Sequence, residues 1–525
     1  MDKPENHNPS VKPFAEKFTV RFGATFVSNI LRAGFSFISG VLVARRLGAT
    51  HYGDLTFLLG SFAAVGLLLD MGTSSAFFTL ISRKPQSRSF VLPYLGWTFL
   101  QWLATMVVIG VFMPASSFRL IWLGHDRHVV LLAFTTSFLT NQAWNLVSRL
   151  AEARRKTILA QTGALAQDVA HAALVAVALY GRWLTIETVL WLLIMEHVIL
   201  VVWLGPRLVR MNVEAAATRS PEAWREFWKY CKPLVFYYWL CFFYNFADRW
   251  FLQRFGGAQQ QGFFSISDQF SNISLLATQS VLPIFWKEIA EAQERGDEIW
   301  ARKLFLSASR GLFFIGGWVS CLLIPYAQEI LSRTVGATYA GAGVCLALLF
   351  LNPVFQSQGH IQGTFFYASG STRNQVQIGI FLMVIGLPIS YFLLAPAHAI
   401  VPGLHLGAIG LTLKMLVVGF IGINYQAYVI ARAKGWPHHY LYNGLILVVL
   451  WSLGWLCKHA TALTLAALGL GQNVLGMAAL SCLLYILASG ILVYRFPALS
   501  GLSREELAHL ILAAWRKAGF KPLYA

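Results

Sequence analysis

The sequence predicts an all-α, polytopic membrane protein of about fourteen transmembrane helices, with two six-helix lobes in pseudo-twofold repeat and two extra C-terminal helices. Three observations predict it. The 525 residues are 57% hydrophobic and only 12% charged, with a mean hydropathy of +0.58, whereas a soluble globular chain carries roughly 25% charged residues. Apolar runs of about 20 residues, the length a bilayer core demands of a helix, recur along the chain. A Gly-rich connection between two such runs also occurs twice: Arg254, Gly257-Ala258 and Gly262 repeat Arg45, Gly48-Ala49 and Gly53 at an offset of about 209 residues. Internal repeats of this kind mark many transporter folds.

In chain order, a polar N-terminal segment (1–18) shows no cleavable apolar region followed by a small-residue site, so no signal peptide is expected. The first lobe (19–205) is expected to hold spans at 19–44, 54–80, 90–113, 128–150, 157–180 and 185–205. A basic linker, 206–230, carries Arg207, Arg210, Arg219, Arg225 and Lys229. The second lobe (231–431) follows with spans at 231–253, 262–285, 303–326, 340–366, 375–395 and 404–431, then two further spans at 441–460 and 472–494. In the tail (495–525), Ser503–Arg516 places Leu507, Leu510 and Ile511 on one face, the pattern of an interfacial helix or a short solvated one.

The net charge of +18 does not read as a nucleic-acid surface, because Lys and Arg sit mainly in short loops between apolar runs. The loops carrying Arg83/Lys84/Arg88, Arg154/Arg155/Lys156, the 206–230 linker, Lys287/Arg295/Arg302/Lys303 and Arg432/Lys434 alternate with poorer ones. The richer set belongs in the cytoplasm, which puts both termini inside. Eighteen tryptophans suit interfacial anchoring. The six cysteines are scattered without a C-x-x-C pair and read as small buried hydrophobes. The sequence shows no metal-ligand cluster, Walker motif or nucleophile elbow, so neither a cofactor nor ATP-driven transport is expected.

A third Gly-Ala followed by Gly recurs at Gly336-Ala337 and Gly341. Glycine in a short connection supplies positive φ or a close backbone approach. With these segments in view, the chain resembles a family. LVARRLGATHYGDLTFL and LLLDMGTSSAF (within 42–77), ADRWFLQRFGGAQQQGFFSISDQF (247–270), VGATYAGAG (335–343) and HLGAIGLT (405–412) resemble bacterial polysaccharide-biosynthesis flippases. These belong to the multidrug/oligosaccharidyl-lipid/polysaccharide exporter superfamily. Phe263-Phe264 departs from the Leu-Tyr more usual there. The resemblance implies two lobes around a central cavity and export of an undecaprenyl-diphosphate-linked oligosaccharide by alternating access. Its implied home is the bacterial inner membrane. The partners would be that lipid carrier, membrane lipids and other polysaccharide assembly proteins, with no nucleic acid and no enzymatic step.

Charges within spans cost roughly 2.5–3.5 kcal/mol on insertion scales, so each one invites a role. Arg32, Lys414 and Arg310 are candidates for the substrate diphosphate, Arg32 foremost; its plainer alternative is to pair with an acid or cap carbonyls. Asp168/His171 on one face of span 5 and Glu196/His197 in span 6 are candidates for proton coupling, against a plain helix-bridging role. Asp248, Arg249 and Asp268 are candidates for an outer gate, or for a static ion pair. His360, Gln358 and Gln362 form a polar island in span 10 that suits sugar contact. Asp70, beside Gly72, reads as structural. Three rival functions remain. A multidrug cation antiporter of the same superfamily is opposed by the basic residues in the spans. A membrane polysaccharide polymerase or ligase is opposed by short outer loops and the lack of D-x-D. A channel would carry repeated charge rings.

Overall fold

A computed structural model describes residues 11–83, 88–210, 221–436, 440–467, 474–500 and 505. The expected interfacial segment Ser503–Arg516, residue 505 apart, and the middle of the 206–230 linker lie outside the described residues. The rest is helical, with no strand among the described residues. By packing the chain divides into two compact units, Met1–Gly262 and Phe263–Ala525.

The first unit contains α1 (Val11–Asp70), α2 (Thr73–Arg83), α3 (Arg88–Val107), α4 (Ala115–Trp122), α5 (Arg127–Ser137), α6 (Trp144–Ala153), α7 (Thr157–Tyr180), α8 (Ile186–Arg210) and α9 (Pro221–Phe251). It ends within α10 (Gly257–Ser271). The helix α1 is two helical segments joined at Gly48, whose φ of 72° and ψ of 172° interrupt the helical backbone. Gly257 makes the equivalent join between α9 and α10 with φ 81° and ψ 173°, and Gly336 repeats the conformation with φ 100° and ψ 179°. The sequence repeat is thus a repeat of one backbone state that a side chain would strain.

The glycines five positions on serve a second purpose. A Cβ at Gly53 would overlap the carbonyl oxygen of Ala258, and a Cβ at Gly262 would overlap that of Ala49. The two copies therefore cross backbone to backbone, each glycine seated on the other copy's alanine. Small residues permit this approach, and van der Waals contact is what holds helices together in lipid. Asp54 adds a tie between the copies by accepting a 2.9 Å hydrogen bond from Gln253 Nε2. In the third copy Gly341 makes room for the Phe263 ring, 2.9 Å from where its Cβ would stand. The departure at Phe263 thus fills a space that glycine leaves.

The second unit holds the remainder of α10 and α11 (Leu275–Glu294), α12 (Glu298–Leu323), α13 (Ala327–Thr334), α14 (Gly343–Leu349), α15 (Asn352–Ala368), α16 (Thr372–Leu394), α17 (Gly407–Lys434), α18 (Tyr440–Ala467) and α19 (Val474–Arg495). One apolar core, including Phe285, Ile289, Phe305, Ile361, Phe365 and Trp436, joins α11, α12, α15 and the end of α17. A second core fixes the last two helices to α12 through Phe313, Cys321, Ile446, Leu450 and Tyr485. Polar ties back it: Trp318 Nε1 donates to Ser489 Oγ at 2.8 Å, and the Tyr485 hydroxyl to the Trp318 carbonyl at 3.2 Å.

Ten helical stretches among the described residues are long and apolar enough to cross a membrane. The expectation of fourteen exceeds that number for identifiable reasons. Spans 1 and 2 fall in one continuous stretch, Val27–Asp70. Span 4 carries Thr140, Asn141, Gln142 and Asn145 within its apolar run, which lowers its hydropathy. The α9 span has low mean hydropathy, and the stretch after Gly257 is rich in Gln and Ser.

Candidate functional site

The first unit carries two polar assemblies. One is a cavity of about 280 Å³ lined by Asp70, Thr73, Ser74, Tyr94, Thr98, Gln101, Asn141, Gln142, Asn145, Arg149 and Tyr238. Its construction starts at the break between α1 and α2. Met71 (φ 46°) and Gly72 (φ 81°) turn the chain. Asp70 then caps the new helix, accepting 2.9 Å and 3.0 Å bonds from the Ser74 amide and hydroxyl. Gly72 leaves space for Leu234 and Tyr238 of α9, and Tyr238 closes one wall.

Three of the four amides around this space are held by backbone. Gln101 Nε2 donates to the Leu69 carbonyl at 2.7 Å, Gln142 Nε2 to the Gly66 carbonyl at 2.9 Å, and Asn141 Nδ2 to the Ser137 carbonyl at 3.1 Å. Asn141 and Gln142 lie in the π segment Phe138–Ala143, a distortion that often marks functional sites. Arg149 donates to the Ser74 carbonyl at 3.4 Å and lies over the Phe78 ring at 5.7 Å. Among the described residues it forms no ion pair. The cavity therefore presents one cation and one carboxylate, Asp70, already engaged by Thr73 and Ser74, with amides and hydroxyls around open space, a set suited to phosphate and sugar oxygens.

The second assembly spans α1, α7 and α8. Arg32 Nε meets Asp168 Oδ2 at 2.7 Å, with the two side chains 29% and 17% exposed. One helical turn from that pair, Glu196 accepts from Gln167 Nε2 at 3.0 Å and faces His171 Nδ1 at 3.0 Å. Of the expected proton-coupling groups, the structure joins His171 to Glu196 across two helices. It gives Asp168 to Arg32 instead of His171. His197 turns away from Glu196, because adjacent helical residues point about 100° apart, and bonds the Leu193 carbonyl at 2.9 Å.

The remaining expectations fall as follows. Arg249 lies against α1 where Gly60 leaves room, Asp248 is beside it on α9, and Asp268 belongs to the second unit. All three are engaged in interactions. Lys414 is 1% exposed inside the second unit, so its ammonium does not reach a surface. Arg310 lines a small cavity there with Gln358 and Gln362. His360 lies on the opposite side of α15 and is exposed, since it stands two positions from each glutamine. Among the described residues no three His, Cys, Asp or Glu come together as metal ligands. In the turn between α4 and α5, His125 stands 3.5 Å from Asp54, and burial holds its imidazole below the ordinary value despite that carboxylate.

Arg149 and the amides were not among the residues singled out from sequence. Arg149 stands close to the basic run Arg154/Arg155/Lys156 and looks like one more topology charge, and a π segment has no clear sequence mark. The one available signal was FLTNQAWN, four polar side chains within an apolar run.

Two units of apolar helices, with polar groups enclosed within the first, define the class: a multi-pass helical membrane transporter fold. Solved structures agree. The lipid II flippase MurJ in an inward closed conformation matches with a TM-score of 0.65 at 14% identity, covering 90% of this chain and 99% of that one. An inward-facing multidrug resistance MATE family transporter of the MOP superfamily gives 0.61 at 15% identity, covering 78% and 96%. An outward-facing one gives 0.51 at 14% identity, covering 80% and 96%. At these identities the likeness is one of fold. None of the curated proteins matches the chain significantly. The chain belongs to the polysaccharide biosynthesis protein family, whose model matches residues 21–286.

Proposed function

We propose that the protein is a flippase moving an undecaprenyl-diphosphate-linked oligosaccharide, an O-antigen, capsule or exopolysaccharide repeat unit, to the outer leaflet of the bacterial inner membrane. It works by alternating access, as a transporter rather than an enzyme, with both termini in the cytoplasm. The observation that carries this reading is the Asp70–Arg149 cavity. Membership of a polysaccharide biosynthesis family and the fold shared with a lipid II flippase support it.

At about 280 Å³ the cavity lies just under the roughly 300–1,000 Å³ of small-molecule sites, so it admits one unit of the substrate and not the whole oligosaccharide. Arg149 takes the diphosphate through its planar fork, and the neighbouring amides and hydroxyls take the adjoining sugar. The Arg32–Asp168 pair is already neutral within itself, so the phosphate role expected of Arg32 passes to Arg149. Glu196 with His171 is the proposed proton-coupling pair.

The test is leaflet transfer of a fluorescent polyprenyl-diphosphate oligosaccharide in liposomes holding the purified protein. Wild type transfers it, and Arg149→Ala slows the initial rate by at least about ten-fold, the scale of one charge-assisted contact. Efflux of a small cationic dye without lipid transfer would replace this reading with multidrug antiport.

A further inference from the structure

The second unit has its own cavity, which the transport reading does not use. It lies among α12, α15, α17 and α18 and is lined by Ser309, Arg310, Gln358, Gln362, Trp436 and Tyr442, with Asn443 at its edge. Two of its groups lack hydrogen-bond partners among the described residues. The Arg310 guanidinium stands 5.2 Å over the Tyr442 ring and forms no ion pair among the described residues. Gln362 is 4% exposed, and its Oε1 accepts no hydrogen bond among the described residues. Gln358, by contrast, is locked on Ser309, receiving its hydroxyl at 2.6 Å and donating to its carbonyl. A buried carbonyl oxygen left unpaired costs roughly 1–3 kcal/mol, so the pair Arg310 and Gln362 calls for an occupant with both acceptors and a donor.

Size and position narrow that occupant. The open space is about 50 Å³, enough for a phosphate-sized group and too small for a sugar chain, since a water's share of liquid is about 30 Å³. The cavity lies toward the ends of α12 and α17 that carry Arg302/Lys303 and Arg432/Lys434. Trp436 and Tyr442 are the residue types that sit at headgroup level. Basic pockets between spans on the cytoplasmic side hold anionic lipid headgroups.

We infer that this cavity binds the headgroup of an anionic phospholipid, with its phosphate on Arg310 and a headgroup hydroxyl donating to Gln362 Oε1. The chemistry shared with the carrier lipid is the phosphate; the hydroxyl on the headgroup favours the phospholipid. The site lies within the second unit and does not depend on what is transported.

The experiment is native mass spectrometry of the delipidated full-length protein titrated with phosphatidylglycerol, phosphatidylcholine or undecaprenyl phosphate. Wild type should retain one phosphatidylglycerol at concentrations where phosphatidylcholine is not retained. Arg310→Ala should weaken that adduct about ten-fold, Gln362→Leu should weaken it less, and Arg310→Lys, which keeps the charge and guards against misfolding, should retain part of it. Equal retention of both phospholipids, or an adduct indifferent to Arg310→Ala and Arg310→Lys, would overturn the site. Stronger retention of undecaprenyl phosphate, lost in Arg310→Ala, would overturn the phospholipid as its source.

Discussion

The two polar assemblies of the first unit satisfy the same requirement by opposite means. Around Asp70 and Arg149, side chains bond to backbone: Gln101 to Leu69, Gln142 to Gly66, Arg149 to Ser74. In the other, side chains bond to side chains across helices: Arg32 to Asp168, and Glu196 to both Gln167 and His171. A polar group in a span must find partners or line a wet cavity. Cross-helix pairing spends the charge on holding helices together. Backbone pairing leaves the rest of the polar atom set facing open space, which is the condition for binding a polar ligand. Charge within a span is therefore a poor guide to a site until its partner is known.

The difference should be largest in stability. Arg32→Ala strands Asp168, and truncating one partner of a buried pair costs about 3–5 kcal/mol when both are fully buried. Because these side chains are 29% and 17% exposed, about 2 kcal/mol is expected. Replacing both by leucine should recover most of it. Arg149→Ala should cost under about 1 kcal/mol, since it removes one long bond to a carbonyl. Thermal unfolding of the three variants in one detergent checks the contrast. A large loss for Arg149→Ala would place it with the structural charges.

Transport should reverse that ranking. Asn145→Leu fills the cavity with an apolar group and removes an amide while touching no backbone bond that the structure assigns to it. It should lower the initial leaflet-transfer rate by about five- to ten-fold, one neutral hydrogen bond plus lost space. The Arg32→Leu/Asp168→Leu double variant should transport within about two-fold of wild type, because a paired charge contributes little to an anion elsewhere. A collapse of transport in that double variant would show that the pair opens during the cycle and serves the substrate after all.

Much of this arrangement could be read from the chain, and the rest could not, for physical reasons. The Gly-Ala repeat predicted a backbone state, because the requirement for positive φ is local to one residue: Gly48, Gly257 and Gly336 all hold it. The reciprocal seating of Gly53 and Gly262 follows from the repeat once the copies are known to meet. Partner choice is different. Asp168 and His171 share a helical face, yet their partners come from α1 and α8, and spacing along one helix says nothing about which neighbour packs on it. His197 is next to Glu196 in sequence and turned from it in space, while Gln358 and Gln362 share a face that His360 does not. Arg149 was hidden by the basic run that follows it.

The smallest expected effect bears on the paired assembly itself. Glu196→Gln keeps the size of the side chain and its bonds to Gln167 and His171 in altered polarity, so stability should change by under about 1 kcal/mol. What it removes is a group able to exchange a proton with His171 when the pair is disturbed. If this pair couples transport to protons, the variant should transfer lipid at the basal rate, and an imposed pH gradient should no longer accelerate it. His171→Gln, which leaves the carboxylate but removes the imidazole, should lose the same acceleration. Acceleration retained in both variants would make the Glu196–His171 contact a helix-bridging bond like Arg32–Asp168, and the two-way contrast within this unit would then separate binding from scaffold alone.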